Sequence, residues 1–141
     1  MDVVCYTGTG ASNTVSHNLQ AVPELMIVKP RSTTGFWRVY SATLGNAQGL
    51  SLNGTDAAYG AGTYWDTTTP TSTFFKVNAT ATNTSGTTYV AYLFATCAGV
   101  SKVGSYTGNG STQTINCGFT GGARFVLIKR TDLTGDWYVW D

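Results

Sequence analysis

The chain has 141 residues, room for one ordinary domain with a substantial core, and its 42% hydrophobic content fits a folded globular protein. Charged residues are only 11% of it and the net charge is +1, a field too weak to draw in nucleic acid or an acidic membrane surface. Thr occurs 25 times and Gly 17 times, against one Glu and 8 Leu, so helix formers are scarce, strand and turn residues are abundant, and an all-β chain is expected.

Short apolar or alternating runs recur between Gly, Asn, Ser and Thr clusters about every ten residues, the spacing of a sandwich or barrel. Strands are predicted near 3–7, 13–17, 24–30, 36–40, 49–52, 62–65, 73–78 and 87–95, then near 102–107, 112–117, 124–130 and 136–140. Gly8 and Gly10 match half of a dinucleotide fingerprint, but no helix follows them and a third glycine is missing, so they are read as a hairpin turn ahead of the second strand. Leu25-Met26-Ile27-Val28, apolar without alternation, suits a central strand covered on both faces. Thr34-Gly35 fits a tight turn. In Phe36-Trp37-Arg38-Val39-Tyr40 the period of two places Trp37 and Val39 on one face, read as the buried one, and Arg38 on the other. Thr88 to Ala95 reads as a long strand closing the module.

Residues 3–41 and 103–141 are one segment written twice at a constant offset of 100. Of the 39 pairs, 11 are identical: Val3/Val103, Tyr6/Tyr106, Thr7/Thr107, Gly8/Gly108, Gly10/Gly110, Thr14/Thr114, Lys29/Lys129, Thr34/Thr134, Gly35/Gly135, Trp37/Trp137 and Val39/Val139. Average composition would give roughly 2 or 3. The expectation is a complete module at 1–100 followed, at 101–141, by the truncated start of a second repeat, cut from something longer. Alone, 101–141 would expose strand edges and an apolar face carrying Phe125, Leu127, Trp137 and Trp140. It must borrow partners, by packing on the first module or by pairing with another chain, and a homo-oligomer with 103–141 supplying much of the interface is expected.

No catalytic constellation emerges. His17, the sole histidine, becomes Cys117 in the second copy and reads as a satisfied or solvated strand-end residue. A hydrolytic carboxylate pair would have to come from Glu24, Asp56 and Asp66, and none of these acids is repeated. Cys5, Cys97 and Cys117 read as free, buried thiols. No metal or cofactor is expected; Asp56 and Asn53 with loop carbonyls sketch a weak calcium site, but a solvated loop is the better reading. Trp37 is read as core. Ligand contacts, if there are any, are placed at Tyr59, Tyr64, Trp65 and Asp66, in the Gly-rich stretch 57–66. No span reaches bilayer length, and MDVVCYTGTG lacks the basic start and apolar run of an export signal.

Tyr106-Thr107-Gly108-Asn109-Gly110, Arg124 through Arg130 and Gly135-Asp136-Trp137-Tyr138-Val139-Trp140-Asp141, together with Val22 through Lys29 and Trp37-Arg38-Val39-Tyr40, resemble a poorly characterised family. These are the lectin-like β-sandwich modules that occur singly or in tandem in tail-fibre and other virion structural proteins of bacteriophages, especially marine and cyanobacterial ones. The resemblance covers nearly the whole chain and implies an antiparallel β-sandwich of jelly-roll or lectin-like outline. It also implies a virion location after synthesis in host cytoplasm, and a non-enzymatic structural or adhesion role. The partners it implies are other virion proteins and host-surface glycan. The competing readings are a carbohydrate-active enzyme acting on host polysaccharide and a pure spacer or capsid-decorating module.

Overall fold

The computed structural model describes every residue except 63 and 79. It is all-β and antiparallel, and no helix occurs among the described residues. The strands are β1 (Asp2–Thr7), β2 (Asn13–Ser16), β3 (Leu25–Pro30), β4 (Arg38–Ser41), β5 (Gln48–Ser51), β6 (Tyr59–Gly60), β7 (Phe74–Val77), β8 (Thr88–Phe94), β9 (Val126–Lys129) and β10 (Trp137–Trp140). A six-stranded sheet runs β1-β8-β3-β4-β5-β6, and two ribbons, β2-β7 and β9-β10, complete the set.

The unbroken apolar run of β3 follows from its place between β8 and β4, where both faces are covered. Met26 and Val28 turn to one side with Tyr40, Tyr89, Ala91 and Leu93, and there the β2-β7 ribbon supplies Val15, Phe75 and Val77. Trp65 joins this layer through a bridge to Val77. On the opposite side Ile27, Val39 and Leu50 form a smaller cluster, flanked by Trp37, Tyr92 and Trp137. The Trp37/Val39 face is therefore not the only buried one, as the alternation suggested. Tyr40, in phase with Arg38, is 2% exposed, because the second layer lies over that side of the sheet.

β8 is the longest strand and, as the companion of both β1 and β3, lies inside the six-stranded sheet. The segment after Gly8 is not a hairpin turn: β1 pairs with β8 while β2 pairs with β7, so the chain crosses there between layers. Gly8 is needed because a Cβ there would run into the backbone oxygen of Thr84. The crossover is pinned by Asn83, fully buried, whose Oδ1 accepts from Thr9 N–H and whose amide donates to Thr9 Oγ1 and Ala11 C=O. Nearby, Tyr6 stacks on Tyr89 at 5.1 Å and donates to Thr82 C=O. Burial, with Tyr89 alongside, pushes the Tyr6 phenol well above its usual range and keeps the donor protonated.

The strands predicted at 102–107 and 112–117 do not form. Residues 2–7 and 13–16 exist as strands because β8 and β7 accept their ladders, and among the described residues no strand pairs with 102–107 or 112–117. The turn between them persists nonetheless: Gly10 and Gly110 take φ of 79° and 78°. The predicted strand 62–65 includes residue 63, outside the described residues; around it, β6 is the two-residue pair Tyr59–Gly60 and Trp65 contributes a single bridge. The β9-β10 hairpin forms in the same register as β3-β4, with Val126 opposite Trp140 as Met26 is opposite Tyr40.

Candidate functional site

Period-two alternation puts Phe36, Arg38 and Tyr40 on one side of the chain as it enters and runs along β4, and β5 and β6 bring Ser51 and Tyr59 alongside Arg38. The guanidinium carbon lies 4.6 Å from the Phe36 ring centroid, 4.6 Å from that of Tyr64 and 5.8 Å from that of Tyr59. The Tyr59 and Tyr64 rings meet edge to face at 6.1 Å. Nη1 donates to Ser51 Oγ at 3.0 Å and to Tyr59 Oη at 2.8 Å, and the two hydroxyls are themselves 2.9 Å apart. Nε is buried and has no partner among the described residues, and no bond from Nη2 is seen among them either.

No carboxylate neutralises this cation: among the described residues the ion pair is Arg130–Asp132, on an exposed loop. A half-buried guanidinium held in a fixed plane by aromatic rings and two hydroxyls, with its charge uncompensated, is suited to an oxyanion. Phe36, 49% exposed, supplies an open apolar face beside it.

Of the residues picked from the Gly-rich stretch, Tyr59 and Tyr64 belong to this cluster and Trp65 and Asp66 do not. Trp65 is 1% exposed and packs edge to face on Tyr40 at 5.7 Å, so its ring is core and offers no surface. Its approach to the sheet depends on Gly49, where a Cβ would meet Ala61 Cβ at 2.9 Å. Asp66 is a loop staple: Oδ2 accepts from Ser12 Oγ at 2.6 Å, and Oδ1 from Thr68 N–H and Oγ1. Those bonds, Ser12 foremost, hold its carboxyl down to about 2.

Opposition to Trp37 along the strand does not by itself mark Arg38 as a site residue. The available signal was an arginine with aromatics two residues to either side, at a position that becomes Tyr138 in the second copy.

The remaining candidates are scattered. His17 is buried; Nδ1 accepts from Leu19 N–H, so Nε2 carries the proton and donates to Thr71 C=O at 3.1 Å. Glu24 accepts from Thr96 N–H at the far end of β8. Asn53 Oδ1 accepts from Trp37 N–H, and Asp56 is exposed. The cysteines are free but not buried: Cys5 and Cys97 are exposed and Cys117 is half-buried. Cys5 points outward because β1 turns its even-numbered residues, Val4 and Tyr6, to the core. Shallow depressions of about 340 Å³ each lie between 96–102 and 116–118 and around 114–123; Arg38 lines neither, and no aromatic ring but that of Phe119 does. The convergence of rings and charge at Arg38 marks the stronger site.

The chain matches, over residues 1–141, a family described as a domain of unknown function, DUF7483. It belongs to that family. The match runs unbroken across the six-stranded sheet and the β9-β10 hairpin. No curated protein and no solved structure matches it.

Proposed function

We infer that this DUF7483 chain is a non-enzymatic structural and adhesion module of a phage virion, which holds an acidic host-surface glycan at Arg38. The single observation behind the ligand is the uncompensated guanidinium framed by Phe36, Tyr59 and Tyr64. A sugar carboxylate or sulfate would bond to Nη2 while the apolar face of the ring rests on Phe36. The virion setting rests on the resemblance of both copies to tail-fibre and virion modules. Other virion proteins and further copies of the chain, the latter through the faces of residues 103–141 that stay exposed, Phe125 and Trp140 among them, are the protein partners in this reading.

The same reading extends to architecture. The β2-β7 ribbon with Trp65, packed on the six-stranded sheet, supports a jelly-roll or lectin-like sandwich at 1–100. The common register of β3-β4 and β9-β10 supports 101–141 as the start of a second copy.

Hydrolysis of the glycan is disfavoured on chemical grounds. A general acid needs a carboxyl held above its usual range near a second carboxylate, whereas Asp66 is held below it and Glu24 is bonded to Thr96, in a different loop. Incubation with acidic capsular polysaccharide or lipopolysaccharide fractions tests the proposal. Retention without new reducing ends, lost in Arg38→Gln, is expected. New reducing ends would establish an enzyme, and no retention would leave a spacer or capsid-decorating role.

A further inference from the structure

The loop between β9 and β10 is seated on the first unit's 51–58 segment through four polar contacts. Ala58 N–H donates to Thr131 C=O at 2.8 Å, Gly135 N–H to Thr55 C=O at 2.8 Å, Lys129 Nζ to Thr55 C=O at 3.2 Å and Trp137 Nε1 to Ser51 C=O at 2.9 Å. The Trp137 ring packs against the cluster of Ile27, Val39 and Leu50. Three of the four seated residues, Lys129, Gly135 and Trp137, are among the identities shared with the first copy, and the fourth contact uses only the backbone of Thr131.

Lys29, Arg31, Gly35 and Trp37 therefore occupy the same places on a hairpin of the same register. Lys29 Nζ keeps the local bond to Pro30 C=O at 2.9 Å that corresponds to Lys129 with Arg130 C=O, also 2.9 Å. It has no counterpart of the bond to Thr55. Residues 31–36 are exposed, and among the described residues nothing is bonded to Gly35 N–H or to Arg31 C=O. In the second copy the same two groups are the ones that lock onto the first unit.

We propose that the β3-β4 loop is a docking tooth for the 51–58 segment of another copy of this unit, so that units stack head to tail, each one's loop in its predecessor's socket. Continuity with the intrachain interface identifies the occupant: the socket is already shown filled by this loop's own repeat. In the intact chain the socket is taken by β9-β10 and the tooth stays free. Because such a contact is heterologous, a chain with both ends free adds further copies, in a ring where the rotation between units closes and in an open row where it does not.

The test uses the full chain carrying Lys129→Ala and Trp137→Ala, which removes the two side-chain contacts and so loosens β9-β10 from the socket. Its mass by sedimentation should rise with concentration to at least about twice that of the unchanged chain under the same conditions, and adding Gly35→Pro, which removes the tooth's N–H, should abolish the rise. If the double variant loses cooperative unfolding, Gly135→Pro serves as the socket-opening change. A socket-opened chain whose mass matches the unchanged one at every concentration overturns the proposal, as does association that survives Gly35→Pro.

Discussion

Asn83→Ala should be the most damaging polar substitution in the chain, although its position in a Thr/Ser-rich loop looks unremarked. The amide is fully buried and ties two backbone groups of the crossover, Thr9 N–H and Ala11 C=O, to the loop before β8. Truncation leaves Thr9 N–H without its acceptor, while Ala11 C=O retains Thr9 Oγ1 at 3.1 Å. Thr9 is exposed, so its N–H can turn to water; the three lost side-chain bonds, with Thr9 N–H, Thr9 Oγ1 and Ala11 C=O, at up to about 1 kcal/mol each, give a loss of about 2–3 kcal/mol. That is a large share of a stability of about 5–15 kcal/mol. With a urea dependence of about 1.5–2 kcal/mol per molar, the unfolding midpoint should fall by about 1–2 M. Asn53→Ala is the control, since Asn53 is exposed and its side chain accepts one bond, from Trp37 N–H; about 1 kcal/mol or less is expected. Equal midpoints for the two variants would refute the claim that Asn83 pins the two layers together.

Asp66 gives a pH signature. Its folded carboxyl is held at about 2, below the ordinary 3.8, so its contribution is complete above about pH 4 and is lost as pH falls towards 2. The difference in urea midpoint between the unchanged chain and Asp66→Asn should therefore shrink steadily from pH 5 to pH 2, and a difference that is constant over that range would contradict the assignment. Gly49→Ala should cost about 1–3 kcal/mol by crowding Ala61 and Trp65, while Gly60→Ala, with open space around it, should stay within about 0.5 kcal/mol by thermal unfolding.

The parts of this fold that could be read from sequence are those whose local pattern and tertiary role coincide. The run 25–28 declares a doubly covered strand by lacking alternation, and its place between β4 and β8 is the reason. Residues 102–107 and 112–117 carry as much strand character as their first-copy equivalents but lie unpaired, because a ladder needs an acceptor and pattern alone does not provide one. The site divides in the same way. Tyr59, Tyr64 and Trp65 share one Gly-rich aromatic stretch, yet only the first two rings flank Arg38, while the place of Trp65 is set by a bridge to Val77 that no local signal announces. Arg38 became visible only when β5 and β6 placed Ser51 and Tyr59 beside it.

The most direct test of the account is a calorimetric titration of the chain with glucuronate and with its methyl ester, sugars that differ in charge and hardly in shape. A charge-assisted bond to Arg38 predicts glucuronate binding at least about tenfold tighter than the ester, a difference of about 1.4 kcal/mol. Arg38→Gln should bring the two together. Equal affinity for acid and ester, or a preference for the acid that persists in Arg38→Gln, would contradict an acidic-glycan site at Arg38.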